Sequence, residues 1–285
     1  MSDSPDLVES RSPDGHVWNL RLWRAAGGTH ALVWLPALGV PAAKYDAFAA
    51  ALGRRGVSVV VHEWRGTGSS SLRPSRGSDW GYRELIERDI PASIAAAQGH
   101  LPGKRWILGG HSLGGQLAAM SLAMTPEQAE ALLLIATGVP AARHFPGTRA
   151  LGVRLFAHAL APLTRLLGSF PGHRLNWAGH EAGQVMRDWA STVTSGHYRQ
   201  LQTLPGIDAK LRALQQPALG LRFSDDWLVP ANSMSDLLGR IGSTVHESSC
   251  LDEAALGARP DHFRWMRQPD AVADATVAWL ARHVP

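Results

Sequence analysis

The amino-acid sequence predicts an α/β fold, with a mostly parallel central sheet carrying helices on both faces. Three observations predict it. Short apolar runs such as "HALVWLPA", "VSVVVHEW" and "ALLLIATG" are nearly unbroken, as strands buried on both faces must be. Stretches with helical spacing separate them, and the connections are short. One glycine-rich turn, "GHSLGG" at 110–115, leads from an apolar run straight into a helix-forming stretch. Sheets of this kind bind ligands beyond the carboxyl ends of their strands, so the loops after strands are where chemistry is expected.

The elements follow in order. Residues 1–15, "MSDSPDLVESRSPDG", read as a polar leader without the apolar core of a signal peptide. From His16 to Ala25, "HVWNLRLWRA" alternates as a strand does, and "HALVWLPA" (His30 to Ala37) is a buried strand ending in Pro36. "AAKYDAFAAALGRRG" is a helix with Gly53 and Gly56 near its end, and "VSVVVHEW" is the next strand. "DWGYRELIERDIPASIAAAQGHL" has helical spacing, with a kink or break expected at Pro91, which lacks an amide hydrogen. "KRWILGG", "SLGGQLAAMSLAM" and "ALLLIATG" then read as strand, helix and strand.

The alternation lapses over 140–205, where "LGVRLFAHALAPLTRLLGSF" is apolar, helical and punctuated by proline. This segment is expected to be a helical cap insertion over the strand ends, with no clear buried strand of its own. Order resumes with "QQPALGLRFSDDWLVP", a helix from Ala231, a strand near "GSTVHESS" and a last helix from Pro269 to His283. The core is thus expected to comprise 16–139 and 206–285.

Composition narrows the function classes. Of 285 residues, 45% are hydrophobic and 18% charged, the balance of a globular chain with room for a sizeable core. The net charge of +4 comes from scattered arginines, with lysine only at Lys44, Lys104 and Lys210, so nucleic-acid binding is not expected. The one cysteine, Cys250, rules out an internal disulfide and suggests a reducing, cytoplasmic setting, with the thiol a bystander. No uninterrupted apolar run reaches the roughly 18 residues of a spanning helix. "RGTGSSS" lacks the lysine and spacing of a phosphate loop, and His173, His180 and His197 have no metal-ligand spacing, so no cofactor or metal is expected.

Gly110 to Gly114, "GHSLG", fit G-x-S-x-G between a predicted strand and a predicted helix. The plain alternative is a strand end with a serine helix cap. In the sharper reading, the turn is so tight that only bare neighbours fit, which pushes the Ser112 hydroxyl out at the sheet edge. The following helix aims its free amides and positive end at the same place, which suits a developing oxyanion. A serine hydroxyl is a weak nucleophile without a base, and in this strand–turn–helix setting an acid and then a histidine should follow in the chain. His262, in "ARPDHFRWM", falls between the last strand and last helix, whereas His246 lies in a strand and His283 at the end of the final helix. Asp226, in "SDDWLVP", follows the strand "PALGLRF" and is the candidate acid; the adjacent Asp225 would then face solvent or cap a turn. Asp208, Asp252 and Asp261 read as loop aspartates. The backbone amides of Leu113 and Leu38, the latter in "PALGVPAAKY", are the expected oxyanion donors.

With these residues placed, the chain resembles the α/β-hydrolase superfamily over roughly residues 16–285, in particular its serine esterase, monoacylglycerol-lipase and serine-aminopeptidase-like branch. "GHSLGG" is similar to the nucleophile elbow and "SDDWLVP" to the acid loop. "HEWRGTGSS" is similar to the D-x-R-G-x-G-x-S stretch, with Glu63 in place of the aspartate. "PALG", 36–39, stands where the family has H-G-x-G, and Asp261 stands where a glycine precedes the histidine. The resemblance implies the α/β-hydrolase fold and a variable cap at the insertion.

The expected function is hydrolysis of small-molecule carboxylic esters with an apolar acyl group, through an acyl-enzyme on Ser112. Acyl transfer or amide and peptide hydrolysis would use the same triad, and a non-catalytic binder of an apolar ligand is the alternative from another class. Leu155, Phe156, Leu160, Leu163 and Leu167 of the insertion could line an acyl pocket, meet lipid, pack over the sheet, or join two subunits. Trp177 and Trp189 could border the pocket. Arg65 and Asp79 to Tyr82 are expected to hold loops together.

Overall fold

The computed structural model describes residues 4–175, 178–198, 201 and 204–285. At the edge of the sheet, β1 (Asp6–Arg11) pairs antiparallel with β2 (Val17–Trp23). This corrects the expectation of a leader over 1–15: residues 6–11 belong to the sheet. Val8 and Ser10 turn inward while Leu7 and Glu9 face out. With one apolar inward residue, the strand has almost no hydropathy alternation to betray it, and an edge position asks for no more.

The parallel core begins with β3 (His30–Leu35), α1 (Asp46–Arg54) and β4 (Ser58–Val61). Next come α2 (Tyr82–Glu84) and α3 (Ile90–His100), joined by a π-helical turn over Leu85–Asp89. The expected disturbance at Pro91 is therefore met by widening the turn before it, which removes the clash between the proline ring and the preceding carbonyl. β5 (Arg105–His111), α4 (Leu113–Met124) and β6 (Ala131–Ile135) follow.

The insertion carries α5 (Thr148–Leu167), β7 (Ser169–Pro171), β8 (His180–Ala182) and α6 (Gly183–Ser195). β7 and β8 make a small antiparallel pair, which hydropathy did not signal because each strand has three residues. The chain then returns through α7 (Ile207–Ala213), β9 (Ala218–Phe223), α8 (Ala231–Leu238), β10 (His246–Leu251), α9 (Glu253–Leu256) and α10 (Asp270–His283).

Among the described residues, eight strands form one sheet in the order β1-β2-β4-β3-β5-β6-β9-β10, parallel from β4 to β10. All five residues of β6 are buried. Each of its three leucines contributes roughly 1.5–3 kcal/mol by leaving water, which explains a strand without polar alternation. One face of the sheet packs on α3, α4, α7 and α8, and the other on α1 and α10. The insertion has its own apolar cluster, in which Leu160, Phe170 and Met186 are fully buried between α5 and α6.

The outer face of α5 is apolar too: Leu151, Leu155, Leu166 and Leu167 are exposed. By length and composition α5 could cross a bilayer. Arg154, His158 and Thr164 interrupt its apolar residues, so it holds no unbroken apolar run of that length. Cys250 is an exposed, unpaired thiol on the β10 edge strand.

Chain order places the crevice at which folds of this kind bind ligands. β3 has β4 on one side and β5 on the other, so the connections leave this point in opposite directions. The loops after β3 and β5, residues 36–41 and Ser112, flank that switch point.

Candidate active site

Ser112 follows β5 directly, with φ 55° and ψ −120°, a backbone region that costs a non-glycine residue about 1–3 kcal/mol. Surrounding structure holds it there. The Ser112 amide donates to the Ile135 carbonyl at 3.1 Å, and its own carbonyl accepts from the Gly115 amide at 3.1 Å and from the Thr137 hydroxyl. The neighbours must be bare: a Cβ at Gly110 would stand 2.3 Å from the Gly114 carbonyl carbon, and one at Gly114 would stand 2.2 Å from the Leu35 carbonyl oxygen. Both obstacles are backbone, so neither can yield.

His262 Nδ1 donates to Asp226 Oδ2 at 2.7 Å, and both side chains are buried. The second carboxylate oxygen, Oδ1, accepts from the amides of Leu228 at 2.9 Å and Val229 at 3.1 Å. Asp226 is thereby fixed by its own loop, and its contact with Nδ1 leaves His262 Nε2 as the acceptor nitrogen. Asp225 points away, exposed and 3.4 Å from Arg259. His246 bonds to the Ser243 carbonyl and His283 to Glu247, and neither lines the cavity at Ser112. Asp252 caps α9, and Asp261 accepts from the amides of Phe263 and Arg264 just after the candidate histidine.

Ser112, His262, Leu38 and Leu113 line one cavity of about 670 Å³. Apart from Ser112, Gln116, Arg149, Ser233 and His262, its lining is apolar side chain or glycine, the character of a pocket for an apolar ligand. The insertion supplies Phe145, Val153, Phe156 and Trp189 to the wall. Leu160 is instead buried in the insertion's own cluster, with Leu163 packed against it, while Leu155 and Leu167 are exposed. Trp227, next to Asp226, is half exposed at the cavity, with the Arg149 guanidinium 5.6 Å from its ring centre. Trp177 lies outside the described residues.

Leu113 opens α4, so its amide has no partner within the helix. Leu38 sits in a turn closed by the Val40 amide on the Ala37 carbonyl at 3.1 Å, with Gly39 at φ +71°. This turn is clamped from behind: Trp64 Nε1 donates to the Pro36 carbonyl at 2.9 Å, and the Ala37 amide donates to the Tyr45 hydroxyl at 2.8 Å. The loop after β4 is held in turn, with Glu63 accepting from the Ala42 amide at 3.1 Å and Arg65 bound to Asp89 at 2.6 Å. Asp79 pairs with Arg187, and the Tyr82 amide donates to Asp188, tying the core to α6.

Sequence reasoning missed two buried side chains at the centre. The Tyr45 hydroxyl also meets His111 Nδ1 at 2.8 Å, and the His111 ring lies 4.7 Å from that of His262. Burial, with His262 adding to it, holds His111 neutral, far below the usual histidine range. Among the described residues, no cluster of three or more His, Cys, Asp or Glu is placed to hold a metal.

Comparison with known proteins agrees with this architecture. The family model described as "Serine aminopeptidase, S33" matches residues 30–255. The monoglyceride lipases of Rattus norvegicus and Homo sapiens are each 28% identical over 134 residues, 47% of this chain and 42% of theirs. The match thus spans less than half the length of these curated relatives. A soluble variant of monoglyceride lipase from Saccharomyces cerevisiae superposes with a TM-score of 0.69 at 14% identity, covering 99% of this chain and 97% of that one. That likeness is one of fold. With the match covering most of the sheet, the elbow and the acid loop, this chain belongs to the serine aminopeptidase S33 family of α/β hydrolases.

Proposed function

We propose that this protein is a serine hydrolase of small-molecule carboxylic esters that works through an acyl-enzyme. One observation carries the reading: a strained, bare-flanked Ser112 shares an apolar cavity with a histidine whose Nδ1 is bound to a buried carboxylate at 2.7 Å. Residues 140–205 act as the cap of that cavity. The names of the curated relatives, monoglyceride lipases, favour an ester of a glycerol-like alcohol with an apolar acyl chain.

The chemistry follows from the atoms. His262 Nε2 takes the Ser112 proton as Oγ attacks the acyl carbonyl, and Asp226 stabilises the imidazolium and fixes its tautomer. The amides of Leu113 and Leu38 hold the oxyanion, each donor worth about 3 kcal/mol in the transition state. The imidazolium then gives its proton to the leaving alcohol as the C–O bond breaks. Water, deprotonated by the same nitrogen, attacks the acyl-enzyme and releases the acid and Ser112. No step calls for a cofactor. The reading sets the enzyme in the cytoplasm, in keeping with its lone, unpaired thiol, and allows self-association through the exposed leucines of α5.

The test is hydrolysis of p-nitrophenyl esters graded by acyl length, beside Ser112→Ala. Turnover that vanishes in the variant supports the reading, and the preferred length gauges the cavity. An absence of turnover together with failure to label Ser112 by a fluorophosphonate overturns it.

A further inference from the structure

A second cavity, of about 410 Å³, adjoins the first and shares Gly39, Val40 and Phe263 with it. Its remaining lining is Pro41, Lys44, Arg264, Met266 and Arg267. Three cations therefore face one hollow, and no carboxylate lines it. Arg264 is engaged by Asp261 at 3.2 Å. Lys44 and Arg267 make no ion pair and no side-chain hydrogen bond among the described residues. In a chain with only three lysines and a modest net charge, this local surplus needs a cause.

Its position supplies one. A leaving alcohol that takes its proton from His262 must lie on the histidine's side of the scissile bond. The chain on that side is Phe263 to Arg267, facing the turn at Gly39. The geometry points to this hollow as a leaving-group subsite for an anion: an ester whose alcohol portion bears a phosphate, such as a monoacyl glycerol phosphate. The inference rests on the ester-hydrolase reading and extends it by assigning opposite characters to the two cavities. The acyl chain lies in the apolar one under the cap. The phosphate is met by Lys44 and Arg267, with Arg264 in reserve once Asp261 releases it. Exposed cations of this kind each change affinity by a few-fold, and their effect weakens with salt.

The test compares two esters with the same short acyl chain, acyl glycerol and acyl glycerol 3-phosphate, both below micelle-forming concentration. The enzyme is the full chain and its Lys44→Ala/Arg267→Ala variant. The expected result is a KM for the phosphate ester that rises about tenfold in the double variant and in 0.5 M salt, with the neutral ester's kcat/KM changed less than twofold. If parent and variant treat the two esters alike, the subsite is overturned. Should the parent hydrolyse neither and Ser112 resist fluorophosphonate, the ester reading has failed separately. The subsite is then decided by calorimetry with glycerol 3-phosphate and inorganic phosphate. Binding of glycerol phosphate that the double variant loses upholds it, and no binding to the parent, or binding that the variant keeps, overturns it.

Discussion

Tyr45 holds two things at once: its hydroxyl accepts from the Ala37 amide and meets His111 Nδ1, each at 2.8 Å, in full burial. A neutral His111 can accept the hydroxyl proton at Nδ1 while the hydroxyl oxygen accepts from the Ala37 amide, so the two bonds are compatible. The pair links the turn carrying Leu38 to the ring packed on His262, and so sets two parts of the proposed machinery against each other.

Tyr45→Phe is therefore expected to leave a buried amide and a buried ring nitrogen without partners. Each such loss costs about 1–3 kcal/mol. The melting temperature should fall by several degrees, and kcat on an activated ester should fall about tenfold with little change in KM. A variant with lower stability but the parent's kcat would show that the pair supports only the fold.

The acid is tested by two neighbouring substitutions. Asp226→Asn keeps an oxygen for the Leu228 and Val229 amides but no longer selects the His262 tautomer, so kcat should drop about 10³–10⁴-fold. Asp225→Asn removes only an exposed contact with Arg259 and should change kcat less than twofold. A small loss in both variants would mean that either carboxylate can serve.

The parts legible in the sequence are those governed by local rules. The buried strands showed as apolar runs, and the elbow showed because Gly110 and Gly114 face backbone at distances no side chain could tolerate. Asp226 and Asp225 were separable only weakly, since which of two adjacent carboxylates turns inward depends on the loop's amides. Tyr45 and His111 gave no signal at all. They are 66 residues apart, and their contact exists only because the turn after β3 passes beside the end of β5. β1, with one inward apolar residue, and the three-residue strands of the insertion fall below any pattern of alternation.

Gly39 tests the turn that packs against Ala178 and Gly179. It has φ +71°, and a Cβ there would stand 2.1 Å from the Gly179 amide nitrogen. Alanine at 39 would incur about 1–2 kcal/mol of backbone strain and force the two segments apart. Gly39→Ala should lower kcat/KM at least tenfold. Gly15→Ala has a similar φ of +87° with nothing within 4 Å, so it should cost stability alone. If both variants keep full activity, the turn does not hold the oxyanion.

Glu181 gives the insertion a pH dependence. It lies buried beside that turn, where it accepts from the Gly179 amide at 2.8 Å, and burial pushes its carboxyl up from 4.5 to about 7. The folded chain then binds this proton more tightly than the unfolded chain. Its stabilising contribution is complete below pH 4.5 and is lost as pH rises through 7, by an amount on the order of 3 kcal/mol. Asp188, raised by burial from 3.8 to about 6, acts in the same direction at slightly lower pH. Glu181→Gln keeps an oxygen for the Gly179 amide and removes the titration. Thermal melts of parent and variant should coincide below pH 5 and separate above pH 8, where the variant melts several degrees higher. Parallel curves across that range would show that Glu181 is charged in the folded chain and finds solvent or a cation there.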